Sequence, residues 1–374
     1  MGWLICVCLF AACSEKKTAS LECYNVEVDF HDEPYMTSSF LGKFQLIPLE
    51  TPSRESVISH IERLLFADNR IFVVDRISNK VLAFDNSGTF VASTERLIGK
   101  GHNEYVRMMD AGVDEKSRKL YMHCDAPYQM IVLDFDLNVE KVIPMDYYVR
   151  EMAVDNEWVY GLRRNSKGDS GYELIAIRKD SLNLPPRILY STSVEIRGRM
   201  TMGKSLTSGG EAVFVSIPFD NKLLKIKDGG IVRTYAINFG DKGLSKHPID
   251  EDMSPDFFSR HYRDIYWSIV NISGADSLLL FNTNKITQFI LNQKTNECHG
   301  YERIRQDKLP FSTSYITPSC GLKNGVAYEI DAKIASKFFG RMEETGTNME
   351  SMPANTIRRL DPDGNPLIII ATFK

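Results

Sequence analysis

Residues 70–90 read RIFVVDRISNKVLAFDNSGTF. The runs 70–75 and 80–85 are rich in β-branched and aromatic side chains, which pack well on a pleated surface. Between and after them stand Arg-Ile-Ser-Asn and Asn-Ser-Gly, residues that satisfy their own backbone locally or adopt positive φ at little cost. The stretch therefore reads strand, turn, strand, turn, and the start of a third strand at Phe90. A related segment recurs downstream: NKVLAFDNSG (79–88) matches NKLLKIKDGG (221–230) at Asn, Lys, Leu and the final Gly.

The same chemistry marks six units. Their first hairpins turn at Asp68-Asn69, Asp114–Arg118, Asp155-Asn156-Glu157, Ser208-Gly209-Gly210, Ser273–Asp276 and Lys323-Asn324-Gly325, each before an apolar strand. Taking Phe72, Tyr121, Val159, Phe214, Leu279 and Ala327 as equivalent, the steps are 49, 38, 55, 65 and 48 residues, near the length of a four-stranded propeller blade. A lone four-stranded sheet cannot bury both of its apolar faces, whereas sheets stacked in a closed ring bury all of them. The expected fold is all-β: a six-bladed β-propeller of four-stranded antiparallel blades over residues 41–374. The last unit supplies strands only at 313–319, 325–330 and 366–373, so the spare strand 41–50 is expected to complete it and close the ring. Pro48 lacks a ladder donor, which places that strand at an edge. Two insertions break the rhythm, at 240–265, with a helix signal at Ser254-Pro255, and at 332–357.

Composition is that of a globular protein, 43% hydrophobic and 25% charged with a net charge of -4, so nothing suggests nucleic acid. Trp3–Ala12 is an uninterrupted apolar run of ten residues, too short to span a bilayer and suited to a signal peptide. The following FAAC-SEKK resembles the lipobox of bacterial lipoproteins, which implies a signal peptide over 1–12, lipidation of Cys13 and a polar tether and lead-in over 13–40. The remaining cysteines, Cys23, Cys124, Cys298 and Cys320, are scattered, and spacing alone assigns no disulfide. His123-Cys124 and Cys298-His299 are adjacent pairs, and neighbours on a strand face opposite ways, so each offers at most one ligand to a metal.

FQLIPLET, RIFVVD with NKVLAFD, the linker IGKGHNEY (98–105) and the terminal LIIIATFK together resemble the six-bladed β-propeller lipoproteins of Bacteroidota, relatives of NHL-repeat propellers. In the linker, His102-Asn103 stand where that family tends to carry Pro-Gly. The resemblance implies a cell-envelope protein, anchored by lipid to the outer membrane, that binds carbohydrate or protein.

Gly198, Gly203, Lys204 and Ser205 fit the spacing of a phosphate-binding P-loop, but that loop must open a helix. Here LTSGGEAVFVS follows, two strands about a Gly-Gly turn, so the match is read as coincidence and no cofactor is expected. Neither GxSxG nor HExxH occurs. Propellers act through one face, built from second-to-third-strand loops and the linkers between blades. The candidate binding face is Asp75, Arg76, His102, Asp125, Tyr128, Tyr148, Arg150, Arg163, Arg164, Phe219 and Asp220, a mixture of rings that stack and charges that orient polar groups. These residues point to a monomeric, non-catalytic binding or scaffold protein whose partner is a glycan or an envelope protein. The alternative is an exported metal-dependent hydrolase or lactonase-type enzyme with a divalent metal in the central channel. It would need several inward carboxylates or imidazoles, and the first strands offer little beyond Asp110, Glu151 and Asn271.

Overall fold

The computed structural model describes residues 22–164, 171–192, 203–209, 211–249, 255–274, 277–285, 287–305, 307, 319–345 and 360–374. Strands β1 (Glu22–His31), β2 (Tyr35–Met36) and β3 (Leu41–Pro48) precede the repeats. The first meander is β4 (Arg63–Ala67), β5 (Arg70–Asp75), β6 (Lys80–Asp85) and β7 (Phe90–Ser93). The second is β8 (Arg107–Asp114), β9 (Lys119–Ala126), β10 (Tyr128–Asp134) and β11 (Val139–Pro144). The third is β12 (Glu151–Val154), β13 (Trp158–Arg164), β14 (Tyr172–Arg178) and β15 (Arg187–Ser191). The fourth comprises β16 (Leu206–Gly209), β17 (Ala212–Ser216), β18 (Lys222–Lys227) and β19 (Gly230–Asn238). Helix α1 (Pro255–His261) leads to the fifth, β20 (Ile269–Gly274), β21 (Leu278–Thr283), β22 (Gln288–Asn292) and β23 (Cys298–Tyr301), then the short β24 (Ile304–Arg305). The last has β25 (Cys320–Leu322), β26 (Gly325–Ile330), helix α2 (Ala332–Thr345) and β27 (Leu367–Phe373).

Strand periodicity explains the stacking. In β5, Phe72 and Val74 enter the core shared with the second meander, while Ile71 and Val73 enter the core shared with the last. In β9, Leu120 and Met122 face back to the first meander and Tyr121 faces the third. The same division holds for Val159 against Tyr160, for Val213 against Phe214, for Leu279 against Leu280 and for Ala327 against Tyr328. Each core thus lies between two successive meanders, and the last meander returns to the first. The first strands meet in the same order: β4 packs on β8, β8 on β12, β12 on β16, β16 on β20, β20 on β25, and β25 on β4. Ile71, Phe72, Val73 and Val74 are all 0% exposed, and full burial of such side chains contributes about 1.5–3 kcal/mol each. The result is an all-β, propeller-like arrangement of four-stranded antiparallel sheets.

One expectation about the sheets needs correction. Among the described residues four sheets are separate and four-stranded, but the fourth and fifth meanders belong to one nine-stranded sheet. The physical reason is β1, which lies in the segment expected to be an irregular lead-in. It pairs parallel with β19 from Glu22 to Glu27 and parallel with β23 from Val28 to His31, bridging the two outer edges. Tyr24, Val26, Val28 and Phe30 alternate with polar residues along it, a period of two that the polar composition disguises.

Closure follows the expected scheme: the last sheet runs β25-β26-β27-β3, with β3 at its edge and antiparallel to β27. Its first strand is Cys320–Leu322, and the expected strand at 313–319 lies outside the described residues except Ser319. Gly88, at φ +87°, sits against this seam, where a Cβ would overlap the Pro48 carbonyl and where its own oxygen accepts from the Glu50 N–H at 2.9 Å. The Asp228-Gly229 turn has positive φ at both residues (51° and 75°), the conformation that suits a two-residue hairpin.

The register of closure is testable. Gln45 and Ile370 are cross-strand partners, within the separation a disulfide needs. The Q45C/I370C variant should oxidise to an intramolecular disulfide, seen as a thiol loss and a non-reducing gel shift. The offset pair Q45C/I369C should not, and equal oxidation of both would contradict the register.

Candidate functional site

The inner strands carry a buried polar hub. Arg63 on β4 donates from Nε and Nη2 to the Asp110 carboxylate on β8, at 3.1 and 2.8 Å. Its Nη1 reaches the Leu206 carbonyl on β16 at 2.8 Å, and Asp110 accepts from the Met152 N–H on β12 at 2.8 Å. Glu151 accepts from the Ser205 and Leu206 N–H groups at 2.8 and 3.0 Å, and Asn271 Oδ1 accepts from the Lys204 N–H at 3.0 Å. The three inward polar residues legible in the sequence therefore tie first strands to one another. Burial alone would raise the Asp110 carboxyl, but Arg63, Lys204 and the Met152 amide outweigh it and hold it below the ordinary range.

Against the hub opens a cavity of ≈ 610 Å³. Besides Arg63 and Glu151 of the hub, its charged lining comprises Glu62, Arg76, Arg150, Lys204, Glu329 and Asp331, with His60 beside them. Glu62 tends upward through burial, yet Lys204 at 2.8 Å and Arg76 at 3.9 Å bring it below the usual carboxylate value. Glu329 shifts the other way: desolvation raises it, only partly offset by His60 and a hydrogen bond from Ser319. Asp331 accepts from the Ile334 N–H at the start of α2.

The structure disperses the candidate face. Arg76 and Arg150 both line the cavity. Beside them Tyr128 and Tyr148 lie 6.4 Å apart by ring centroid, and Tyr128 is 46% exposed. The Tyr148 phenol is raised by burial, against which Arg150, Arg76 and Arg107 act as nearby cations. Asp125 is held by Arg107. The other residues have structural contacts. Asp75 is buried and accepts from the Ser59 and Ser78 N–H groups, and Arg163 pairs with Glu173 at 2.8 Å. Asp220 accepts from the Tyr190 hydroxyl at 2.5 Å. Phe219 stacks on Trp267 and meets Phe258 edge-on, which pins α1 over the β17–β18 loop. His102 is exposed in its loop, and Arg164 is exposed at the end of β13.

Gly198 and Cys13 lie outside the described residues. Gly203 has φ +105° against the Asn271 amide, Lys204 reaches Glu62, and Ser205 leads into β16 rather than a helix. Among the described residues no helix opens at Ser205, as a P-loop requires. Sequence reasoning missed Arg63, Glu62 and Glu329. Their signal was a charge at the start of an otherwise apolar strand, RLLFA, just before it, HIERLLF, or inside one, VAYEI.

His123 is fully buried on β9, cross-strand from Asp110 and edge-on to Tyr148 at 6.1 Å. Neither ring nitrogen has a partner in hydrogen-bonding geometry, although the Tyr147 and Val149 backbone lies near enough to favour protonation slightly. Desolvation dominates and brings its pKa down to about 4.

Fold and cavity define an all-β, propeller-like protein with a polar pocket among its inner strands. The chain belongs to the family described as a domain of unknown function, DUF4934, whose model matches residues 23–372. It shares its fold with a Bacteroides fragilis NCTC 9343 protein described as "Putative exported protein", at 12% identity and TM-score 0.66, covering 94% of this chain and 100% of that one. BamB from Moraxella catarrhalis aligns at 9% identity and TM-score 0.40, over 77% of this chain and 75% of its own. The Cps50 (Swd1) β-propeller domain of Myceliophteria thermophila aligns at 11% and 0.40, over 72% and 92%; these two likenesses are too loose to carry an argument. No curated protein matches the chain. Among the described residues no helix is long and apolar enough to cross a membrane.

The His123 environment predicts a pH effect. Between the ordinary value of 6.5 and the folded value of about 4, the unfolded chain binds a proton that the folded chain refuses. Stability is therefore lost as pH falls from about 6.5 towards 4, on the order of 3 kcal/mol for this group. Denaturation midpoints of H123L should fall less across that window than those of the wild type, and parallel curves would contradict the assignment.

Proposed function

We propose that this chain is a six-bladed β-propeller lipoprotein of the cell envelope that binds a polar ligand, a glycan or a segment of an envelope protein, without catalysing a reaction on it. On this reading the nine-stranded sheet is two blades fused at their outer edges by β1, so four separate sheets and one fused pair make six blades. The circular order of first-strand contacts supports the count. Export is supported by the apolar run ending at Ala12, and the Bacteroides fragilis protein of the same fold is described as "Putative exported protein". Lipidation at Cys13, an outer-membrane position and a monomeric state complete the proposal.

The observation that carries it is the cavity at the channel mouth. Its walls come from the first, third, fourth, fifth and last meanders, and α2 contributes Ile334. Arg76 and Arg150 flank it, and the exposed ring of Tyr128 lies beside Tyr148, a combination suited to hydrogen-bonding hydroxyl groups and stacking a sugar or side chain. The hydrolase alternative needs carboxylates free to gather on a metal. Asp110 and Glu151 are instead engaged by Arg63 and by backbone N–H groups, and Glu62 by Lys204. No three ligand atoms of the cavity cluster closely among the described residues.

The test is the thermal midpoint of the full chain, in mild detergent, against panels of glycans and peptides. Midpoints should rise with the logarithm of ligand concentration for a binder of the folded state. The R76A/R150A double variant should lose that rise while keeping its ligand-free midpoint. A glycan or peptide response unchanged by the double variant, or silence across both panels, would contradict the cavity assignment.

A further inference from the structure

The pairing of β1 with β23 builds a cluster that neither strand contains alone. Asp29 and His31 stand two apart on β1 and so project from one face, and His299 on β23 is the register partner of Asp29. His31 Nε2 lies 3.0 Å from His299 Nδ1 and 3.1 Å from Asp29 Oδ2, and His299 Nδ1 lies 3.5 Å from the same oxygen. Among the described residues this is the one group of three or more His, Cys, Asp or Glu side chains whose ligand atoms gather within 4.8 Å. Cys298, the neighbour of His299, is buried on the opposite face and takes no part.

We propose that Asp29, His31 and His299 form a binding site for a first-row divalent metal, with zinc the expected ion. Zinc takes imidazole nitrogen at about 2.0–2.1 Å and carboxylate oxygen at about 2.0–2.2 Å, so a tetrahedral site has ligand–ligand edges of about 3.3 Å. The observed triangle of 3.0, 3.1 and 3.5 Å brackets that length. The two nitrogens select against calcium and magnesium, which prefer all-oxygen shells. The rings are held in place: His31 stacks on Tyr301 at 4.9 Å, and Tyr301 stacks on Tyr35 at 4.5 Å. Both histidines keep more than a third of their side-chain surface exposed, so an ion can enter and a water can take the fourth position. A metal here joins residues 268 positions apart and clamps the end of the N-terminal strand to the outer edge of the fifth meander.

This site is independent of the cavity, and its test separates the two. The full chain, prepared without a histidine tag and stripped with EDTA, is titrated with zinc alone against a chromophoric competitor. One equivalent should bind at micromolar or lower free zinc, with a rise in thermal midpoint that EDTA reverses. H31A and H299A should each weaken binding by about 100-fold or more, since loss of an outer-sphere partner alone costs 10–100-fold. Because both side chains are partly exposed, the metal-free midpoints of these variants should stay close to wild type. A second readout needs no variant: zinc should protect both histidines from carbethoxylation, followed by mass spectrometry. Failure to bind zinc, or binding that survives both substitutions, would overturn the proposal, and a surviving metal response would direct attention to the channel instead.

Discussion

The Arg63–Asp110 ion pair is the constraint on which the centre of this molecule depends. Side chains of 5% and 0% exposure carry opposite charges there, and either charge alone in that environment would be strongly unfavourable. The pair is tolerable because its hydrogen-bonding capacity is used: the guanidinium grips both carboxylate oxygens and the Leu206 carbonyl, and the carboxylate also accepts from Met152. These contacts join the first strands of four meanders. Since β4 and β16 belong to non-adjacent meanders, the Arg63–Leu206 bond crosses the centre instead of following the ring. The hub thus spans the centre, and Arg63 and Glu151 themselves form part of the cavity wall.

Around that hub the stabilising work is done by stacked sheets. Alternate residues of each second strand enter different cores, so every meander is held by both neighbours and no meander is complete alone. The design leaves two weak points. One is the seam, where β3 joins β27 and Gly88 makes room for Pro48. The other is the outer edge of the sheets, where unpaired backbone groups invite pairing. On the fourth and fifth meanders β1 covers both edges at once, and the polar alternates of that strand deliver Asp29 and His31 beside His299.

Much of the fold was legible because its signals are local. Turn residues such as Asp68-Asn69 and Asp228-Gly229, the uninterrupted β-branched and aromatic run in RIFVVD and the spare strand carrying Pro48 each have their own physical reason. The lead-in was misread because β1 borrows stability from two distant edges, so composition outweighed the alternation of Tyr24, Val26, Val28 and Phe30. The site was legible only in part. Arg76 and Arg150 reached the cavity, whereas Asp75, Phe219 and Arg163 proved to have partners that no spacing announces, since Phe219 meets Trp267 only through the packing of α1. Asp110 and Glu151 were found as inward residues, but their role depends on Arg63 and on backbone amides far away in the chain.

The most direct measurement of the hub is a double-mutant cycle on R63M and D110L, read as unfolding free energy by chemical denaturation. Each single variant leaves one buried charge without its partner and should cost about 3–5 kcal/mol. The double variant should be destabilised by much less than the sum, giving a coupling of several kcal/mol. Additive losses, or single variants close to wild type, would mean that the pair does not organise the centre of the ring.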